Sequence, residues 1–434
     1  MRAVLTNFGT TGDIQPFLAL AIELHRHGHQ PVIACSPGFK STAERVGLEF
    51  IPIGPDLRKI QCDINETWMA MPEVYDSTEQ MLSLFAPLMS FLPQAFDELL
   101  KACRNADVLI SGSAQPAARM VHEITGIPFV SVQLNHLGGI GAPTLQQASA
   151  ALINPFRLQL GLPPLLNPLT IDANSPQLAL YAVSRYLYPR PADWPAHYHL
   201  IGFFFDDEEW QPDPALWEFI TNGKPPIFIT FGSMTHSNPA RLTEIMLEAI
   251  SLADCRAIIQ QGWSGLAKGS LPANIYSVGY VPHHWLFRHT ACVIHHGGIG
   301  TTAAVFRAGV PSIFVPHSYV FDQAYWAKFA QELGCSVPAI PYQELAAVQL
   351  GNAIKETLTN TSYHNATRSL SEKIRAEHGV RRARQLIEQL VQCDSAQQYR
   401  IGAQNRTEKV DRRKHYQQMQ RSRRKDNPGD NHNE

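Results

Sequence analysis

The stretch His295-His296-Gly297-Gly298-Ile299-Gly300-Thr301-Thr302-Ala303-Ala304 holds the densest chemistry in this sequence. It follows an apolar run, Cys292 to His295, that reads as a strand, and it opens a run with helical spacing. Glycines let a backbone come close to a ligand, and the first turn of a helix leaves free N–H groups at the positive end of its dipole. Such a place suits a diphosphate. Thr301 and Thr302 add hydroxyl donors, and a histidine at the strand tip can donate to a phosphate oxygen. Taken alone, the loop is equally well explained as a tight turn over buried histidines. It is not a Walker A sequence, because Gly-Lys-Ser/Thr is missing, and it is not G-x-G-x-x-G. His283, His284, His289, His295 and His296 have no acidic or cysteine partners at ligand spacing, so no metal site is expected.

Two further places carry polar groups at strand ends. Phe8-Gly9-Thr10-Thr11-Gly12-Asp13-Ile14-Gln15-Pro16 lies between a first strand and a first helix. Open α/β sheets place their ligands there, although a helix-capping aspartate accounts for Asp13 on local grounds. Asp322-Gln323 follows the run at Ser312 to Val315. A carboxylate beside an amide can hold sugar hydroxyls, and it can equally be a polar helix start.

These loops need elements to position them. Apolar runs at 3–6, 31–34, 48–53, 107–110 and 128–132 alternate with helical spacing, and a second series follows at 227–231, 257–260, 275–278, 292–295 and 312–315. The alternation predicts an α/β protein of two doubly wound parallel sheets. The expected division is 1–205 and 227–375 as two Rossmann-like domains, a linker at 206–226, a terminal helix at 376–394 and a disordered basic tail at 395–434. Residues 133–175 show no clear period and read as long loops and short helices. Met81 to Phe96 reads as one buried or groove-lining helical segment.

Composition narrows the function. The chain has 434 residues, 44% of them hydrophobic, which is enough for two cores. Its net charge is −2, which disfavours a nucleic-acid binder. Residues 395–434 hold ten Lys/Arg and five Asp/Glu, so a +5 tail follows a −7 body. Seven scattered cysteines without C-x-x-C point to a reducing compartment. With no signal-like start and no apolar span, a cytoplasmic protein is expected. The basic tail would allow a peripheral membrane or anionic contact.

Six motifs, in order over about residues 1–392, resemble family 1 glycosyltransferases of the GT-B fold, closest to the sterol, macrolide and glycopeptide glucosyltransferase branch. They are Thr11 to Pro16, Thr230 to Met234, Gln261 to Leu266, Val281 to Phe287, the glycine loop, and Asp322-Gln323. The resemblance implies an inverting transfer of a hexose from a UDP-sugar to a lipophilic hydroxyl acceptor, with no cofactor or metal. Asp13 matches the general base, Ser233 matches a phosphate contact, and Gly12 is expected among the nucleotide-sugar contacts. Tyr280, Val281 and His283 lie where relatives hold the nucleobase and ribose. His296 matches the diphosphate histidine, with Gly298, Gly300 and Thr301 in the same pocket, and Asp322 and Gln323 match the pair that grips the donor sugar. Ala304 stands where many plant members have Glu, and Pro316 to Asp322 is about two residues longer than the sterol-type pattern. The acceptor walls are expected at Trp68 to Met71, Met81 to Phe96 and Leu134 to Leu166. The alternatives are a dTDP-sugar transferase, a non-catalytic partner of another transferase, and a sugar-nucleotide epimerase of the same fold.

Overall fold

Apolar runs without alternation build strands buried on both faces. In the computed structural model, which describes residues 1–56, 77–134, 143–207, 209–234, 236, 238–317 and 322–401, they form two sheets. The first contains Arg2–Thr6 (β1), Gln30–Cys35 (β2), Glu49–Pro52 (β3), Val108–Gly112 (β4), Phe129–Gln133 (β5), Leu178–Tyr181 (β6) and Tyr198–Leu200 (β7). The second contains Ile227–Thr230 (β8), Ala257–Gln260 (β9), Ile275–Val278 (β10), Val293–His295 (β11) and Ser312–Phe314 (β12). The orders are β3-β2-β1-β4-β5-β6-β7 and β10-β9-β8-β11-β12, with every pairing parallel. In each sheet the winding reverses beside the first strand, between β1 and β4 and between β8 and β11. A ligand crevice opens at the carboxyl ends of such strands.

Several elements differ from the expectation. β6 and β7 escape a sequence reading because one is four residues in a Pro-rich region and the other is a half-buried edge. Residues 133–175 contain the helix Pro143–Gln159. Its buried face includes Ala148, Ser149 and Arg157, so a helical period exists that hydropathy does not register. Arg157 is buried with its Nη2 donating to Glu123 Oε2 at 2.8 Å. The Met81 to Phe96 segment is two helices, Thr78–Met89 and Leu92–Ala102, the second starting with Pro93 in its first turn.

The region expected as linker, 206–226, holds the helix Pro214–Thr221, capped by Asp213, whose Oδ1 accepts from Leu216 N at 2.9 Å. Leu216 and Ile220 are buried against Phe228 and Ile258 of the second sheet, so this helix belongs to that sheet's core. The last helix starts at Gly379 and continues to Ile401, past the expected tail boundary at 395. Residues 402–434 of the tail lie outside the described residues.

The final helix crosses back to the first sheet. Ala383, Leu386 and Ile387 are buried with Leu20, Leu24 and Ile33. Arg384 pairs with Glu23 at 3.0 Å, and Glu388 pairs with His29 at 2.9 Å. A Cβ on Gly379 would stand 2.4 Å from the Gly202 carbonyl, so the crossing needs glycine there. A separate apolar cluster joins the halves: Val183, Leu187 and Phe203 pack with Phe306, Phe314, Trp326 and Ile374. Among the described residues, no helix is long and apolar enough to cross a membrane.

Ile387 is fully buried although it lies some 360 positions from its core partners. Ile387→Ala is expected to cost about 2–5 kcal/mol of stability, seen as a lower urea midpoint. An unchanged midpoint would show that the crossing helix adds nothing to the first core.

Candidate active site

The β1 loop ends in a reciprocal helix cap. Thr10 starts the helix Thr11–Arg26, and Asp13 stands at its third position. The Asp13 Oδ2 accepts from Thr10 N at 2.7 Å and from Thr10 Oγ1 at 3.3 Å. Gly9 has φ +144°, and a Cβ there would stand 2.2 Å from Asp13 Oδ2, so only glycine leaves room for the carboxylate. Asp13 therefore caps its helix and also lines the cleft between the two sheets. Burial pushes its carboxyl above the usual range, against the Thr10 hydrogen bonds that lower it.

The β11 loop is organised differently. His295 and His296 separate, as neighbours at a strand end should. His295 is buried against Phe314, 4.5 Å between rings, and its Nδ1 accepts from Gly297 N at 3.2 Å. His296 lines the cleft. Its imidazole lies over Gly298, where a Cβ would stand 2.5 Å from Nε2. Thr302 does not offer a ligand donor, because its hydroxyl bonds back to the Gly298 carbonyl at 3.0 Å. Thr301 faces the cleft. The helix Ile299–Ala308 begins at Gly298 with no side-chain cap and no acidic residue in its first turn. The Ile299 N–H is directed at the Asp322 carboxyl, and the N–H groups that follow, at Gly300 and Thr301, are left for another acceptor. A Cβ on Gly300 would stand 3.9 Å from Gly12 Cα, so the two helix N-termini meet across the cleft.

Burial holds His296 down to about 4, with His236 and His283 adding to the effect. His283, stacked on Phe287 at 4.6 Å, is also held to about 4 by burial. Both are neutral at physiological pH, so they act as hydrogen-bonding groups and not as cations.

The other loops complete the cleft in the order of the strands. Tyr280, Val281 and His283 follow β10 at one edge, Gly232 and Ser233 follow β8, the glycine loop follows β11, and Asp322 and Gln323 follow β12 at the other edge. Tyr280 is 58% exposed at the rim of the cleft. Asp322 Oδ2 accepts from Trp326 Nε1 at 3.0 Å. Burial, and then the charge of Asp13, raise Asp322 to about 6.

All twelve residues singled out in the sequence thus line one cleft of about 750 Å³. Sequence reasoning missed other parts of its wall. Phe203, Phe204 and Phe205 line it from the chain connecting the two sheets, whereas Phe85 and Leu88, of the helix Thr78–Met89, fall within the Met81 to Phe96 segment expected as an acceptor wall. Arg45, at the end of the helix Lys40–Arg45, places its guanidinium 5.9 Å from the Tyr280 ring centre, and His317 lines the β12 side. The run of three phenylalanines was the available signal. Of the expected acceptor walls, Trp68 to Met71 and residues 135–142 lie outside the described residues. Among the described residues, no three His, Cys, Asp or Glu come together in a metal-holding group.

Two family models match this chain. Residues 3–136 match the glycosyltransferase family 28 N-terminal domain, and residues 244–389 match the erythromycin biosynthesis protein CIII-like C-terminal domain. A sterol 3-beta-glucosyltransferase of Komagataella phaffii is 30% identical over 421 residues, covering 87% of this chain. The chain spans about a third of that relative's length, 34%. An O-mycaminosyltylonolide 6-deoxyallosyltransferase of Streptomyces fradiae is 29% identical over 90% of this chain and 97% of its own. The structure of the glycosyltransferase VinC in complex with dTDP superposes with a TM-score of 0.68 at 19% identity, covering 90% of this chain and all of VinC.

The raised Asp322 pKa has a definite sign. The folded value lies above the ordinary 3.8, so the stability it lends is present below that value and is lost as pH rises through about 6. Asp322→Asn is therefore expected to be more stable than the parent above pH 7, by about 1–3 kcal/mol, with the gap closing below about pH 4. Urea unfolding at both pH values measures it. Asp13→Asn, by removing a neighbouring negative charge, should lower the Asp322 pKa by roughly half a unit or more in an NMR titration.

Proposed function

We propose that this chain, which belongs to the glycosyltransferases of the GT-B fold, moves a hexose from a UDP-sugar to a hydroxyl of a lipophilic small molecule, with inversion at the anomeric carbon. The observation that carries this reading is the glycine-opened helix N-terminus beside His296, facing Asp13 from the opposite half across one cleft. Sugar transfer needs a base for the acceptor hydroxyl and stabilisation of the charge that develops on the departing diphosphate. Asp13 takes the hydroxyl proton, and its raised pKa makes it the stronger base. The oxygen attacks the anomeric carbon from the side of the first sheet. The bond to the diphosphate breaks, and its electron pair is met by the N–H groups at Gly300 and Thr301, by His296 and by Ser233. In this scheme the protein's own donors stabilise the leaving group, so no metal is required.

The strand order supports a donor laid with its base at Tyr280 and its sugar at Asp322 and Gln323. Phe8, Phe85, Leu88 and Phe203 to Phe205 support an apolar acceptor on the first-sheet side. The sterol 3-beta-glucosyltransferase relative agrees with both glucose and an apolar acceptor. A second reading, a dTDP-deoxysugar donor, is favoured by the near-complete overlap with the 6-deoxyallosyltransferase and by the dTDP bound in VinC.

A mass-spectrometric screen of UDP-glucose and dTDP-sugars against lipophilic hydroxyl compounds tests the reading, and absence of any sugar adduct counts against it. Asp13→Asn is expected to lower turnover by about 10²–10⁴ while UDP affinity stays within a few fold. Undiminished turnover removes Asp13 as base. His296→Ala is expected to weaken UDP binding by roughly tenfold or more in calorimetry. Equal affinity removes the diphosphate role.

A further inference from the structure

We propose that His317 accepts a hydrogen bond from a hydroxyl of the transferred sugar and so makes the site favour a hydroxylated hexose over the corresponding deoxyhexose; this rests on the nucleotide-sugar reading above. His317 follows β12 and is 3% exposed, yet it lines the cleft. Its Nδ1 lies 3.0 Å from the Val315 carbonyl oxygen. A carbonyl only accepts, so Nδ1 carries the proton, and Nε2 of the neutral ring is left with a lone pair and no proton. Burial holds the ring well below its ordinary pKa, which keeps it in that form. Nε2 has no hydrogen-bond partner among the described residues.

The ring is fixed in place. It stacks on Tyr342 with 4.2 Å between centres and lies 5.1 Å from Phe231 and 4.9 Å from His236. Its backbone N–H donates to Gln323 Oε1 at 2.8 Å, so the imidazole and the Gln323 amide form one unit. The His296 ring is 6.4 Å away. A bare acceptor cannot serve phosphate oxygens, which have no proton to give at neutral pH. It requires an O–H donor. Ribose hydroxyls would lie with the base near Tyr280, behind β10 at the opposite edge of the sheet. The hydroxyls available beside Gln323 belong to the sugar.

A donor that lacks the hydroxyl leaves a buried acceptor unpaired, and sites of this kind reject such analogues. The test is calorimetric binding of UDP, UDP-glucose and its four singly deoxygenated sugar analogues to wild type and to His317→Phe, whose ring retains the stacking. Wild type is expected to lose about tenfold for one analogue. In His317→Phe, UDP-glucose should bind about as weakly as that analogue, the difference between the two should vanish, and UDP affinity should stay unchanged. Equal penalties in both proteins overturn the proposal. If the variant does not fold, wild type alone decides against it when no single deoxygenation costs affinity. Wild type that binds UDP but gains nothing from the glucose removes the role of His317 and leaves the nucleotide site standing. Wild type that binds none of these ligands removes the donor reading as well.

Discussion

Two helices point their positive ends at each other where Gly12 meets Gly300, and the surrounding site can be understood from that opposition. Like ends repel, and neither glycine carries a side chain to hold the helices apart. The arrangement is tolerable when negative charge stands near the junction. One helix supplies its own through the Thr10–Asp13 cap. The other has no acid in its own first turn and borrows one from across the loop, Asp322, at its Ile299 N–H, with the next N–H groups open to an anion. One end is closed by the carboxylate of its own first turn while the other keeps donors at Gly300 and Thr301 for a visitor, which gives the cleft its division between base and anion site.

The histidines fit the same economy. A body carrying −7 has no positive field with which to gather a nucleotide, and two of its carboxylates, Asp13 and Asp322, flank the cleft. His236, His283, His295, His296 and His317 are all held neutral, with burial the first cause in each. Their contribution is directional. Each ring has a donor or an acceptor at a fixed place, and the backbone contacts of His295 and His317 select opposite tautomers. Selectivity for a ligand can be built this way without strong attraction for every anion.

The sequence made the sheets legible because parallel strands buried on both faces leave continuous apolar runs, and it made the loops legible because glycine, histidine and aspartate cluster at their ends. It hid what depends on distant contacts. The helix Pro143–Gln159 buries Ala148, Ser149 and Arg157, and Arg157 is tolerable inside only because Glu123 is there to pair with it. The helix Pro214–Thr221 is short and proline-led, and it exists because Leu216 and Ile220 find the second core. His317 gave no signal at all. Its place in the wall follows from the Val315 carbonyl, the Tyr342 ring and the Gln323 amide, which come together only in three dimensions.

The crossing of the final helix carries a consequence for how the molecule is made. The first sheet leaves the ribosome well before Ala383, Leu386 and Ile387, which pack on the helix Thr11–Arg26. Until then that apolar surface has no cover, and Glu23 and His29 wait for Arg384 and Glu388. The second sheet is closed by residues between Leu216 and Ile374, together with Val183, Leu187 and Phe203 from the first half, all of which precede Gly379. The earlier-born half is therefore the later to mature. An apolar face left open in this way is exposed to misassembly during synthesis, and a premature stop before Gly379 would leave it uncovered.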